Sequence, residues 1–591
     1  MDDEIKNSGQ YFTPEMVADF MVNLTRKPES AKILEPCAGE GVFLNALLKK
    51  KYNNLKAFEL DASLNNKSPV NIEHADFLTI DWDEKFDVII GNPPYVRWKN
   101  ISKNTQEMLK TDPRWSDKLN GLADILYPFI YASVEKLNKN GELIFITPLF
   151  WTSTSHSRLL RKYLSSIGSL ELFITFNEMN IFKEVSSSIL IFKFIKEKTN
   201  RPIKVINVNS KKKLTADILT KVEKYIDRLD HESEIQEEFY EAYLHPQFIN
   251  SNPWSPLPPK IEPIINQIEK SCTENSPIVE VSNQKTETIR LSKLLEESDL
   301  NELDIGTKIC NTVRFSGKKY YILDSKSKKL TDFFETDLNN SIIERYVRLG
   351  DIADIGNGMV SGLDEAFQVD NLNKYNDIER KNFVKVIKAK NLDKYFAKGH
   401  TDYIFINHLP NEDDLEKLPE IKRKLMCFKI DLDKRYSYKR NIPYWHWVFP
   451  RNQNLIEKSL NKIIVPCKER IDGRGYARFA LVEGFYYATQ DTTVIVKKTE
   501  FKEDVKYLLA VLNSDLILTW MKHKGLKRGG VLEFSEKPLS MIPIRLINWD
   551  NPDEVNIHNE IVKLIDLIIQ SHEYKLTSEK IEVLLKKLYG L

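Results

Sequence analysis

The chain has 591 residues, is 42% hydrophobic and 29% charged, and carries a formal net charge of +1. It is too long for one core of ordinary size, so three or four structural units are expected, with the composition of a soluble globular protein and a neutral total that can still hide a basic face. Five scattered cysteines without a CxxC pair exclude a zinc site or disulfide framework, and no apolar run reaches the ~20 residues of a membrane span.

Thr13 and Pro14 predict a helix start, threonine as N-cap and proline at the first helical position, with Met16, Val17, Phe20, Met21 and Leu24 following at helical spacing. Strand "KIL" enters "EPCAGEG", and "VFLNALLKK" resumes as a helix. Strands "LKAFEL", "VNIEHA" and "FDVIIG" come next, then helix "DILYPFIYASVEKL", strand "ELIFIT", helix "SRLLRKYLSS" and strands "LELFITF" and "SSILIFKFI". These predict an α/β fold, a doubly wound, mostly parallel seven-stranded sheet ending near residue 200 within a first domain of residues 1–240. Residues 241–345 read as a connecting region with amphipathic "HPQFIN" and "IEPIINQIEK" pieces. Over 346–550 short strands mix with glycine turns, predicting a separate mixed α+β domain, and 551–591 read as two helices.

"ILEPCAGEGVFL" puts Gly39 and Gly41 between strand and helix, where a ligand can approach the backbone closely. Alone, such a loop fits a tight turn equally well. Glu59 ends the next strand at the spacing where an acid accepts ribose hydroxyls, and Asp76 with Phe77 suits an adenine amino group and ring face. Glu35 and Glu40 make the loop acidic, against a phosphate ligand and in favour of a cationic one such as S-adenosylmethionine.

"GQYFTP", "ILEPCAGEGVFL", "AFELD", "ADFL" and "GNPPY", in this order, resemble the gamma-class N6-adenine DNA methyltransferases of restriction-modification systems. The likeness covers residues 9 to about 195 strongly, and the carboxy-terminal half weakly through "RLGDIADIGNGMVSGLDEAF" and "YLLAVLNSDLILTW". It implies an S-adenosylmethionine-dependent methyltransferase domain followed by a DNA-recognition domain, in a prokaryotic cytoplasm. By that resemblance Tyr11 and Thr13 close over the methionine end of the cofactor, and Glu35, Cys37 and Gly39 line it. Glu59 holds the ribose, Asp76 and Phe77 the adenine, and Asn92 and Pro94 complete the pocket. One departure is the short link over residues 60–70, with little room for the usual helix.

In "DVIIGNPPYVRW" two prolines end a strand and hold a rigid extended loop. An exocyclic amine is a poor nucleophile because its lone pair is delocalised into the ring. Accepting its hydrogens with the Asn92 side-chain oxygen and the Pro93 carbonyl would free that lone pair by positioning alone. The target base must be flipped out of the duplex and stacked, on Tyr95 and, by the resemblance, Phe182; Phe176 is assigned to the core. Glutamine and guanine amine methyltransferases share this tetrapeptide but are usually much shorter and carry extra domains on the amino side.

Between Ile421 and Ala480 fifteen Lys or Arg stand against five Asp or Glu, the density phosphate contacts need. Candidates for duplex DNA are Arg435, Lys439, Arg440, Arg470, Arg474 and Arg478, with Lys524, Lys527 and Arg528 from "HKGLKRGG". A solvated face is the plain alternative, and Trp445 with Trp447 at period two looks like one side of a buried strand. No metal is expected, and no fused nuclease, since only eight residues precede Gly9. The expected activity is methylation of adenine N6 in a specific DNA sequence, protecting it from a cognate restriction enzyme. Alternatives are a non-catalytic DNA-binding subunit and a protein or RNA amine methyltransferase; the oligomeric state is open, a monomer favoured.

Overall fold

A computed structural model describes residues 11–591 except 81–82, 97, 113, 116–123, 178, 180, 183–187, 211, 250–252, 273–277, 283–285, 291–311, 316–317, 322–346, 437–439, 472–473 and 529–530. The chain divides near Glu262 into two compact units.

The first unit is built on a ten-stranded sheet: β1 (Ile33–Glu35), β2 (Leu55–Glu59), β3 (Glu73–His74), β4 (Phe86–Gly91), β5 (Leu137–Pro148), β6 (Ser169–Phe176), β7 (Ile189–Ile195), β8 (Ile203–Val208), β9 (Glu234–Glu237) and β10 (Tyr240–His245). Their order is β3-β2-β1-β4-β5-β7-β6-β8-β10-β9. Neighbours are parallel from β3 through β5, and β7 enters antiparallel between β5 and β6. The middle strands are near-continuous apolar runs because helices cover both faces. One face packs Val17, Phe20, Met21, Phe43 and Val222 against Val88, Ile90 and Ile146. The other packs Leu126, Ile130, Leu160 and Leu164 against Ile89, Leu143 and Phe145.

The seven expected strands are present in a doubly wound arrangement, but the sheet does not end near residue 200. β8 pairs parallel with β6, and β10 and β9 continue antiparallel. Because β10 spans Tyr240–His245, a domain boundary at 240 would cut a sheet strand; the charged sequences of the added strands hid them. Residues 245–249 of "HPQFIN" are not helical, whereas "IEPIINQIEK" contributes to helix Glu262–Ser271. The amino-terminal helix runs Glu15–Asn23 with Pro14, not Thr13, at the N-cap, and Met16 is exposed. The third strand shrinks to two residues, and residues 60–70 form turns with no helix, as the short link suggested.

The second unit holds four smaller sheets. One of them, Ile278–Ser282, Thr286–Arg290, Thr312–Phe315 and Lys318–Tyr321, lies where only a connecting region was expected. A five-stranded sheet carries much of the remaining core with Trp447, Ile464 and Val494. The final helices run Pro552–Ser571 and Lys575–Tyr589, as periodicity indicated. No helix among the described residues is long and apolar enough to cross a membrane.

A buried ion cluster ties the sheet to the end of helix Glu15–Asn23. Lys193 Nζ on β7 lies 3.1 Å from Glu142 on β5 and 3.4 Å from Glu171 on β6, and donates to the Leu24 carbonyl at 2.9 Å. The Thr25 hydroxyl donates to Glu142 at 2.6 Å. Removing one member of a buried pair strands the other charge, so Lys193→Ala should destabilise the first unit by about 3–5 kcal/mol. Urea denaturation monitored by fluorescence checks this; a loss below about 1 kcal/mol would show that the cluster is solvated.

Candidate functional site

β1 lies centrally, with β2 and β3 on one side and β4 and β5 on the other, so the strands' carboxyl ends meet where the winding reverses. Such an edge is where open α/β sheets bind ligands. After β1 the chain turns through Gly39 (φ 54°) and Gly41 (φ 86°) into helix Val42–Lys49. A side chain at Gly41 would be strained by its left-handed backbone and would bring its Cβ within 2.8 Å of Ser68 Cβ. The Ala38 N–H donates to the Phe58 carbonyl at 2.8 Å, pinning the loop to β2.

Two carboxylates define the electrostatics here. Glu59 accepts the Gly39 N–H at 2.7 Å and the Asp61 N–H at 2.9 Å, which leaves each oxygen a further lone pair. Glu35 is 1% exposed, and its Oε2 has no hydrogen-bond partner. Burial, then the Glu59 charge, holds its pKa well above the ordinary 4.5, opposed by a backbone N–H from Leu44. The Cys37 thiol is pushed up by burial and by both carboxylates, and donates to the Asn92 main-chain oxygen at 3.2 Å. Cys37 is therefore a neutral tie between the glycine loop and the loop after β4.

That second loop leaves β4 through Asn92, with Pro93 buried and Pro94 half-buried. Asn92 Nδ2 donates to the Tyr11 carbonyl at 2.8 Å, while Asn92 Oδ1 is buried without a partner. The Tyr95 hydroxyl is likewise buried and makes no close hydrogen bond, its pKa raised chiefly by desolvation and opposed by the nearby Asn92 side chain, so the ring is a neutral phenol. Tyr11 stacks on Tyr95 at 5.2 Å between centroids and 11° between planes, and Phe182 tilts against Tyr11 at 6.0 Å. The structure thus gathers Tyr11, Glu35, Cys37, Gly39, Glu59, Asn92, Tyr95 and Phe182, drawn from distant parts of the sequence. Phe176 is fully buried in β6, as assigned.

The remaining expected cofactor residues lie as follows. The Phe77 ring is 4% exposed and packs at 5.5 Å from Phe129 and 6.5 Å from Phe58, facing the core rather than an open slot. Asp76 Oδ1 accepts the Leu78 N–H at 3.0 Å, and Thr13 is half-buried. No group of His, Cys, Asp and Glu among the described residues could hold a metal.

In the second unit, strands Lys468–Arg470, Val531–Glu533 and Lys527–Arg528 form one sheet, joining two basic stretches far apart in sequence. Lys468 and Arg470 are exposed around buried Glu469. Lys468 escaped the sequence reading, although the alternation in "KER" carries that signal. Arg440 is exposed over the Phe449 ring at 5.2 Å, and Lys524 and Lys527 are exposed. Lys439 and the Arg528 side chain lie outside the described residues.

Arg478 and Arg435 prove to be internal ties. Arg478 donates to Glu469 at 2.5 Å and to the carbonyls of Ala389 and Leu392 at 2.9 and 3.0 Å, and Arg474 pairs with the same carboxylate. Arg435 bridges the carbonyls of Ser361 and Pro443 at 3.1 and 2.9 Å, and burial pushes its pKa down to about 10. Trp445 and Trp447 are buried, as their spacing indicated, but in a turn and the irregular segment after it and not in a strand, their indole N–H groups on the carbonyls of Leu409 and Ile404.

Residues 33–182 match the family model described as Eco57I restriction-modification methylase. The chain is 37% identical over 581 residues to the type II methyltransferase M.HindII of Haemophilus influenzae, covering 98% of this chain and 97% of that one. M.HincII of Haemophilus influenzae is 35% identical with the same coverage. Among solved structures, the type IIL restriction-modification enzyme MmeI in complex with DNA matches 98% of this chain and 72% of that one, with TM-score 0.54 at 10% identity. That likeness shows a shared fold.

The raised Glu35 pKa has a signed consequence for stability. As pH rises above the ordinary value of 4.5, the unfolded carboxyl ionises while the buried one resists, so native stability falls until pH passes the raised folded value. Glu35→Gln removes that penalty. It should raise Tm at neutral pH and match the parent near pH 4. Thermal scans across that range check it; a variant less stable than the parent at neutral pH would contradict a protonated Glu35.

Proposed function

The chain belongs to the type II methyltransferases of restriction-modification systems, and from that membership we propose that it transfers a methyl group from S-adenosylmethionine to N6 of an adenine flipped out of duplex DNA. The observation that carries this reading is the Asn92 amide, anchored through nitrogen and left with a buried oxygen that accepts from no protein donor. An amino group is the donor that oxygen calls for. Accepting both N6 hydrogens with Asn92 Oδ1 and the Pro93 carbonyl draws the nitrogen lone pair out of the ring's conjugation. Positioning then replaces a strong base. Tyr95, neutral and on the same rigid loop, offers its face to the base.

The donor set also fits the cofactor. Glu35 Oε2 is a buried acceptor beside a second carboxylate, a pairing that favours a cation over a phosphate. Glu35 would hold the cationic methionine end and Glu59 the ribose, with Glu59 already fixed by the Gly39 and Asp61 N–H groups. S-adenosylmethionine supplies an electrophilic methyl on a sulfonium. The second unit, through its basic three-stranded sheet and Arg440, would contact DNA phosphates and confer sequence choice.

Transfer of tritiated methyl to DNA, followed by sequencing that reports modified adenines, tests the activity; label entering protein or RNA instead would overturn it. Asn92→Ala should lower the transfer rate by about 10²–10³-fold or more while leaving DNA affinity intact. Lost affinity would mean a structural residue. Lys468→Ala and Arg440→Ala should each flatten the salt dependence of DNA binding by about one counterion. Arg478→Ala should instead lower stability, since it leaves buried Glu469 with Arg474 alone and takes the donor from two carbonyls.

A further inference from the structure

Tyr11 stands apart from the role its motif implies. Its ring lies nearly parallel to Tyr95, with Phe182 beside it at 6.0 Å. Tyr95 and Phe182 are the two aromatics assigned to the target base, so the Tyr11 ring takes the place a flat base would hold against them. Offset stacking at 5.2 Å and 11° is the contact an aromatic base makes with a ring of this size. Tyr95 packs against the core on one face of the sheet, whereas Tyr11 packs against the core on the other, with Phe182.

We infer that Tyr11 is a gate of the base pocket, whose ring competes with the flipped nucleotide for the face of Tyr95 and must swing aside for the base to enter. This rests on the base-methylating function proposed above. The ring can move without disturbing Asn92, because Asn92 is held by the Tyr11 carbonyl and not by its side chain. One residue therefore does two separable things. Its main chain aims the Asn92 oxygen, and its side chain sets how readily the pocket opens. A self-occupied site binds its ligand less well in proportion to the fraction of molecules in which the occupant is in place. Because only a flipped base must displace the ring, Tyr11 weakens target binding and leaves contacts to unflipped DNA untouched.

The test compares the parent with Tyr11→Ala and Tyr11→Phe on a duplex containing the methylated sequence found by sequencing, and on an unrelated duplex. With the ring gone, affinity for the target duplex should rise about 2- to 10-fold, the range of an aromatic pair, with a matching rise in fluorescence from 2-aminopurine at the target position. Affinity for the unrelated duplex should not change. Tyr11→Phe keeps the ring and should keep the parent's affinity for the target duplex, and an unchanged melting temperature shows that the alanine variant is folded. A parent that methylates adenine while folded Tyr11→Ala binds the target duplex no better overturns the gate and leaves the methyltransferase function standing. A parent that marks no adenine overturns both.

Discussion

Because the Asn92 amide nitrogen donates to the Tyr11 carbonyl at 2.8 Å, its oxygen has one orientation available, turned away from the amino-terminal segment and into the site. A buried oxygen left without a donor costs about 1–3 kcal/mol, and the fold bears that cost through rigid surroundings. Pro93 and Pro94 fix the loop that follows, the Cys37 thiol holds the Asn92 main chain from the glycine-loop side, and β4 delivers all of it from the middle of the sheet. A free energy stored as an unmet hydrogen bond is recovered only by a ligand that supplies the donor. The same amide therefore links the architecture to the chemistry.

The neighbouring carboxylates follow the same logic with charge. Glu35 is sequestered where its ionised form is disfavoured, and Glu59 is drawn into holding the loop that surrounds it. A cation entering between them would reverse the balance at Glu35, favouring the charged carboxylate and releasing a proton. Binding of a cation there would be coupled to release of a proton.

Much of the first unit was legible because its signals are local. Apolar runs bounded by glycine and proline gave the strands, and the glycine loop, Glu59 and Asn92 were found by their places at strand ends. The strands after residue 200 were not legible, since "KVINV" and "EAYLH" sit among charges and their partners are set by tertiary pairing. Phe77, expected to offer its face to an adenine, is buried against Phe58 and Phe129, and residue type alone does not say which way the turn after a strand directs its ring. Arg435 and Arg478 count as basic residues in a basic stretch, yet their guanidinium groups are committed to carbonyls that include those of Ser361, Ala389 and Leu392, 74 to 89 positions away in sequence. Tyr11 and Tyr95 meet across a separation that no periodicity encodes.

The extension of the sheet also decides what happens at its rim. Without β8, the strand β6, eight residues with only Glu171 less than buried, would end the sheet as a flat, greasy row of unsatisfied amides and carbonyls. Such a row recruits other chains. Instead the rim falls on β9, four residues long, carrying Glu234 and Glu237 in ion pairs with Lys260 and Lys221. A methyltransferase core trimmed after residue 200 would bare that adhesive border and clump, so the shortest well-behaved fragment must retain β8 through β10.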